Sequence, residues 1–175
     1  MKKYILTQQV AEKKLRRMAY EILENNSGEQ QLILAGIRDN GSAIAEYLRD
    51  LLKEITGGQL SIELMSISLD KRNPGEVTLS GTGTSGAGPK EKPTIDDQVI
   101  IVVDDVASSG KTLLYAMKPF LEYHPRKIES LVLVGRTHKA FPVQPDYTGL
   151  SLSTTLQEHI YVEVEDGRVK GAWLE

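Results

Sequence analysis

The segment from Val102 to Thr112 reads VVDDVASSGKT: an apolar run, two adjacent carboxylates, then small and hydroxylated residues closed by Gly-Lys-Thr. Ala107, Ser108, Ser109, Gly110, Lys111 and Thr112 offer consecutive backbone N–H groups and three hydroxyls. At the start of a helix, such a run forms a pocket for one phosphate monoester. Asp104 and Asp105 leave the apolar run immediately before it. Carboxylates repel a phosphate, but they accept hydrogen bonds from sugar hydroxyls, directly or through a divalent cation. The ligand implied is a ribose carrying a 5-phosphate, with its diol turned toward the acids. For a lone Asp-Asp, two solvated acids ahead of a capped helix would be the better reading. The phosphate-shaped loop attached to this pair favours a site.

Two other motifs fail on inspection. Gly-Lys-Thr also closes the ATP-gripping loop G-x-x-x-x-G-K-[ST], whose first glycine allows the tight turn. Counting back from Gly110 places that glycine at position 105, which is aspartate and wrong in shape and charge. Gly81, Gly83 and Gly86 satisfy G-x-G-x-x-G, but Pro89 and Pro93 follow where a dinucleotide fingerprint needs a helix. The stretch reads instead as a mobile loop rich in Gly, Ser and Thr. From about Val77 to Lys92 it is the candidate active-site lid.

The elements that must position these groups follow from periodicity. QQVAEKKLRRMAYEILENN places Val10, Leu15, Met18, Ala19, Ile22 and Leu23 on one helical face. SAIAEYLRDLLKEI does the same with Ile44, Leu48, Leu51 and Ile55. QLILAGI, SIELMSISL, QVIIVVDD and SLVLVG read as strands, the third a continuous apolar run suited to a central parallel strand. KTLLYAMKPFLEY is helical, with Pro119 kinking it or delaying part of it. HIYVEVEDGRVKGAWL predicts a hairpin turning at Asp166-Gly167. Strands alternating with helices give an α/β fold with a mainly parallel sheet, and ligands of such sheets sit at the carboxyl ends of the strands. GIRDNG and DDVASSGKT both fall at such ends.

A chain of 175 residues without a repeat or an internal boundary is expected to form one domain, residues 1–175. The absence of cysteine excludes disulfides and thiolate metal sites. No apolar run approaches the roughly 20 residues of a membrane helix, and the one after MKKY is too short for a signal peptide. A cytoplasmic location without membrane association is the expectation. A formal net charge of −3 gives no global attraction to nucleic acid.

VVDDVASSGKT resembles the phosphoribosyl-pyrophosphate (PRPP) motif of type I phosphoribosyltransferases, departing from it at Ala107, where a larger aliphatic residue is usual. ILTQQVAEKKLRRMAYEILENN, LILAGIRDNGSAIAEYL and VGRTHKAFPVQPDYTGLSLST resemble the pyrimidine operon attenuator/uracil phosphoribosyltransferase (PyrR) family. In the last segment the likeness rests on Arg136, His138, Pro142, Asp146, Tyr147 and Gly149. The resemblance implies a type I phosphoribosyltransferase-like fold, a parallel sheet flanked by helices with a flexible loop and a small hood. It implies transfer of phosphoribose from PRPP to a nucleobase, uracil above all, giving UMP and pyrophosphate, and a homodimer or larger assembly.

By the same resemblance, the catalytic pair Asp104 and Asp105 binds the ribose diol, and Ala107 to Thr112 bind the 5-phosphate. GIRDNG resembles the family's pyrophosphate loop. There Arg38 offers forked donors to phosphate, and Asp39 or Asn40 stands where a second basic residue is frequent. Lys71 and Arg72 precede the glycine-rich loop and either meet pyrophosphate or form a solvated pair. Arg136 and His138 fall where the family builds its base pocket. Mg²⁺ is the implied cofactor, held mainly by PRPP and water with Asp104 and Asp105 nearby. Two alternatives stay open. One is a UMP-responsive RNA-binding regulator, for which Lys13, Lys14, Arg16 and Arg17 are the candidate basic face; Leu150, where the regulatory family frequently has lysine, counts against it. The other is a transferase acting on a purine.

Overall fold

The structure, a computed structural model, describes residues 2–81, 94–155 and 157–175. Strand β1 (Lys3–Thr7) leads into helix α1 (Gln8–Asn25), strand β2 (Gln31–Ile37), helix α2 (Asn40–Thr56), strand β3 (Ser61–Leu69) and strand β4 (Val77–Gly81). Strand β5 (Val99–Ala107), helix α3 (Lys111–Met117), a 3₁₀ turn (Lys118–Glu122) and strands β6 (Lys127–Arg136), β7 (Tyr147–Leu152), β8 (Ile160–Glu165) and β9 (Arg168–Leu174) follow. The main sheet runs β4-β3-β2-β5-β6-β7, parallel throughout except for the antiparallel edge strand β4. A second, antiparallel sheet, β1-β9-β8, forms a small hood.

The central strands carry continuous apolar runs because both of their faces are covered. Leu32 and Leu34 of β2 and Ile101 and Val103 of β5 pack with α1, α2 and the hood residues Leu6, Val169 and Ala172. Their neighbours Ile33, Ala35, Ile100 and Val102 point the other way, against Leu113 and Ala116 of α3 and against Phe120. The α/β expectation is thus met, as is the hairpin. Asp166 and Gly167 both take positive φ, 51° and 70°, as a two-residue turn between twisted strands requires. Pro119 acts as expected: α3 stops at Met117 and the chain continues as the 3₁₀ turn.

Three expectations need correction. Val10 is 42% exposed, and Ala11 takes the buried position instead, so the α1 stripe runs Ala11, Leu15, Met18, Ala19, Ile22. Thr7 caps this helix, its hydroxyl accepting from the Val10 N–H at 3.4 Å, and that cap sets the phase. Val77–Gly81 is not loop but strand β4, paired with β3 from Leu69↔Val77 to Met65↔Gly81. The remainder of the expected lid, with Gly83 and Gly86, lies outside the described residues. Strands β1 and β7 are not among the expected strands. β1 is short and half polar, and it becomes a strand only by pairing with β9, far along the chain. Among the described residues no helix is long and apolar enough to cross a membrane.

Candidate active site

The carboxyl ends of β2, β3 and β5 converge. After β2 the chain turns through Arg38 and Asp39, joined by a cis peptide, and enters α2 at Asn40. This turn lies hard against its neighbours. A Cβ on Gly36 would stand 2.5 Å from Ser42 Cα, and one on Gly41 would stand 2.5 Å from the Val103 carbonyl oxygen. Only hydrogen at both positions lets the start of α2 press onto β5. That contact carries Asn40 to the end of β5, where Asp104 and Asp105 stand.

Two cavities meet there. The larger, about 750 Å³, is lined by Arg38, Asp39, Asn40, Asp70, Glu76 and Thr78, among others. The smaller, about 270 Å³, is lined by the loop from Val106 to Leu113 and by Ile160 of the hood. Lys71 and Asp105 line both.

The two acids have different surroundings. Asp104 is fully buried and lines neither cavity. Its carboxylate accepts from Lys71 Nζ at 3.1 and 3.4 Å and from the Asp105 N–H at 2.9 Å. Burial first, and the neighbouring Asp105 charge second, push its pKa up to about 7; Lys71 opposes this without overcoming it. Burial alone would lower Lys71, but the two carboxylates outweigh it and raise its pKa. The shifts of the two partners do not mirror each other, because Lys71 keeps 45% side-chain exposure while Asp104 keeps 1%. Asp105 is presented to the cavities and held at both oxygens: Oδ2 accepts from Asn40 Nδ2 at 2.9 Å and Oδ1 from the Val106 N–H at 2.8 Å. The same Asn40 amide group donates to the Val162 carbonyl on hood strand β8 at 3.0 Å.

The loop after Asp105 curls around the smaller cavity. Gly110 takes φ 87° and opens α3, its carbonyl accepting from the Leu114 N–H at 3.0 Å. The loop is braced from behind by residues 139–141, which follow β6.

The phosphoribosyl transferase domain family matches residues 2–166. The chain belongs to the phosphoribosyltransferase family. Within that family it falls in the PyrR group. It is 33% identical over 171 residues to the Bifunctional protein pyrR of Enterococcus faecalis (strain OG1RF), covering 94% of this chain and 91% of that one. With the Bifunctional protein PyrR of Bacillus pumilus the identity is 32%, over 94% of this chain and 92% of the other. The hypoxanthine phosphoribosyltransferase of Trypanosoma cruzi superposes with a TM-score of 0.74 at 13% identity, over 98% of this chain and 95% of that one. A hypoxanthine-guanine phosphoribosyltransferase of Bacillus anthracis gives 0.65 at 19%, over 87% and 83%. At these identities the structures establish the fold.

In this phosphoribosyltransferase the expected site residues separate into two groups. Asp105, Lys71, Arg38 and the loop Ala107–Thr112 line one or both cavities; Arg38 Nη1 also donates to Ser68 Oγ at 3.0 Å. Asp104 lines neither cavity and is linked to them through Lys71 and the Asp105 N–H. Arg72, Arg136 and His138 line neither cavity. Arg72 is exposed in the turn after β3, its N–H donating to Asp70 Oδ1 at 2.9 Å. Arg136 Nη2 donates to the Thr155 carbonyl at 2.6 Å, and His138 is exposed. The sequence reading missed Asn40 as a donor to Asp105, and it missed Lys139 and Ile160. No local pattern marks these residues, because each acts through a partner distant in the chain.

Proposed function

We propose that residues 1–175 act as one phosphoribosyltransferase domain that moves 5-phosphoribose from PRPP to uracil, releasing pyrophosphate and UMP. The observation that carries this reading is the shared wall of the two cavities. A ribose joining a 5-phosphate in the loop to a pyrophosphate in the larger cavity would lie beside Asp105 and Lys71, which belong to both.

In this reading the amides of Ala107 to Thr112 bind the 5-phosphate and Asp105 takes the ribose diol. Asp104 serves through Lys71, whose ammonium offsets one of the pair's two negative charges. Arg38 and Lys71 face pyrophosphate, and Arg72 joins them by turning in from solvent. Arg136, the last residue of β6, and His138, on the connection to β7, form the base side. As the anomeric C–O bond breaks, pyrophosphate leaves with the bonding electrons. The ring nitrogen of uracil then forms the new bond to the anomeric carbon, and its proton passes to solvent. The protein's task is to orient the partners, stabilise departing charge and keep water from the oxocarbenium-like centre. Ile160 and the hood wall the phosphate side.

The donor chemistry fits a hard cation arriving with the substrate. Asp39, Asp70, Glu76 and Asp105 outnumber Arg38 and Lys71 around the larger cavity. Among the described residues no group of three or more His, Asp or Glu is arranged to hold a metal. In this reading Mg²⁺ would be held mainly by PRPP and water, with Asp105 at the cavity and Asp104 behind it nearby; when bound, the ion would supply neutralisation of the pyrophosphate charge.

We further propose a cytoplasmic homodimer or larger assembly, on the family resemblance. RNA regulation ranks second here, because Arg16 pairs with Glu54 at 3.1 Å and Arg17 with Glu21 at 3.2 Å, which halves the candidate basic face.

The test is pyrophosphate release from PRPP and Mg²⁺ with uracil, hypoxanthine, guanine, adenine or no base. Turnover with uracil alone is expected. Turnover with a purine would replace the base while keeping the PRPP site. UMP binding without turnover on any base would shift the reading to a sensor.

A further inference from the structure

Three consecutive carbonyls of the phosphate loop are taken up by one short segment outside it. Lys139 Nζ donates to the Ala107 carbonyl at 3.1 Å, the Ser108 carbonyl at 3.4 Å and the Arg136 carbonyl at 2.7 Å. An ammonium has three N–H bonds, so all of its donors are committed to backbone oxygens. The N–H groups of Ala140 and Phe141 both donate to the Ser109 carbonyl at 3.0 Å. A Cβ on Gly110 would stand 3.1 Å from the Phe141 carbonyl oxygen, so the two segments lie in close register.

The consequence follows from peptide geometry. In a trans peptide the carbonyl of one residue and the N–H of the next point in opposite directions. Holding the oxygens of Ala107, Ser108 and Ser109 toward residues 139–141 turns the N–H groups of Ser108, Ser109 and Gly110 the other way, toward the 270 Å³ cavity those residues line. Charge acts in the same sense. Among the described residues Lys139 has no carboxylate partner, and its half-buried ammonium is solvated by carbonyl dipoles alone. A positive charge therefore stands behind the loop and is not cancelled locally. Burial first, and Arg136 second, lower the pKa of this lysine below its ordinary value, the direction expected for a cation held without a counter-charge.

We propose that Lys139 is the positioning residue of the 5-phosphate site, fixing the loop carbonyls so that its amides face the ligand and placing a positive charge behind them. This rests on the reading that the smaller cavity takes the 5-phosphate of PRPP.

The experiment is calorimetric titration of the wild type, Lys139→Arg and Lys139→Met with PRPP, and separately with inorganic pyrophosphate, both with Mg²⁺. Pyrophosphate probes the larger cavity and is the control for a general structural defect. Lys139→Met is expected to weaken PRPP about tenfold or more, the scale of losing hydrogen bonds from a charged donor, with pyrophosphate within about twofold. Lys139→Arg keeps the charge but replaces the compact ammonium with a planar fork, so its PRPP affinity is expected between those of wild type and Lys139→Met, with pyrophosphate within about twofold. Unchanged PRPP affinity in Lys139→Met, or equal loss for both ligands, overturns the proposal. A wild type that binds neither ligand overturns the functional reading itself, and this inference with it. Should Lys139→Met fail to fold, Ala140→Pro decides. It removes one amide from the Ser109 carbonyl, and the same selective loss of PRPP is expected; unchanged PRPP affinity there overturns the proposal.

Discussion

Lys71 closes a 3.1 Å ion pair on the buried carboxylate of Asp104 and stands 3.6 Å from Asp105 as well. One half-exposed ammonium thus serves two adjacent acids, one out of solvent and one facing it. Removing it leaves Asp104 without its counter-charge, and a carboxylate in that position protonates or destabilises the fold. Lys71→Met is expected to lose about 2 kcal/mol or more of unfolding free energy at pH 8.5, discounted from the fully buried case because Lys71 is half in water. At pH 5.5, where Asp104 carries a proton, the loss should be much smaller. Denaturant titration at both pH values checks this, and equal losses would show that the pair contributes nothing through its charge.

The raised pKa of Asp104 has its own consequence. The folded-state value of about 7 lies above the ordinary 3.8, so the native state holds this proton more tightly than the unfolded chain does. Its stabilising contribution is complete below about pH 4 and declines as pH rises toward 7. Asp104→Asn removes a charge that burial disfavours, so it should melt higher than wild type at pH 8, by about 2–4 °C per kcal/mol relieved, with little difference near pH 4. The same substitution should weaken PRPP binding only indirectly, through Lys71, which keeps Asp105 as its remaining carboxylate partner; the gain in stability is then set against a partial loss of function. Thermal scans at the two pH values decide; a variant that melts lower at pH 8 would mean that the Lys71 pair outweighs the cost of burial.

Asn40 joins Asp105 to the hood through one amide group, with donor distances of 2.9 and 3.0 Å. β8 is the outer strand of its sheet, so its Val162 carbonyl has this partner rather than a further strand. Asn40→Asp keeps the size but sets a carboxylate against both Asp105 and that carbonyl. The expected result is a rise in KM for PRPP of about tenfold or more, the scale of an unmade hydrogen bond to a charged group. Asn40→Ala should fall between the two. Steady-state kinetics with varied PRPP measures it, and an unchanged KM in Asn40→Asp would detach Asn40 from the site.

How far the sequence disclosed this arrangement depends on how local each signal is. The acids and the loop after β5 are contiguous, and their types state their chemistry, so Asp105 and Ala107–Thr112 were legible. The apolar runs of β2, β5 and β6 announced buried parallel strands. Asp104 was legible as an acid but not as a buried one: alternation along β5 turns its side chain inward, and Lys71, 33 residues away, meets it there. Lys139 carries no signal in the sequence, because its partners are carbonyls, which every residue carries. Strand β1 carried no periodic signal, since the pairing that makes it a strand is with the other end of the chain.

Gly41 tests whether the tight seat of α2 on β5 holds the site together. In a helix, Gly→Ala gains about 1 kcal/mol from propensity. Here the new Cβ would stand 2.5 Å from the Val103 carbonyl oxygen and 3.2 Å from Asp104 Cα. Both are backbone atoms of a strand paired on each side, so the strand cannot retreat, and α2 must lift instead. Overpacking of this kind costs about 1–3 kcal/mol, which outweighs the propensity gain. Lifting α2 also draws Asn40 away from Asp105, so Gly41→Ala should lower the melting temperature and raise KM for PRPP together. Gly28→Ala is the control, because nothing lies within 4 Å of its added Cβ, and it should leave both unchanged. A Gly41→Ala protein that melts at or above the wild-type temperature with normal KM would show that the start of α2 has room to move without disturbing Asp105.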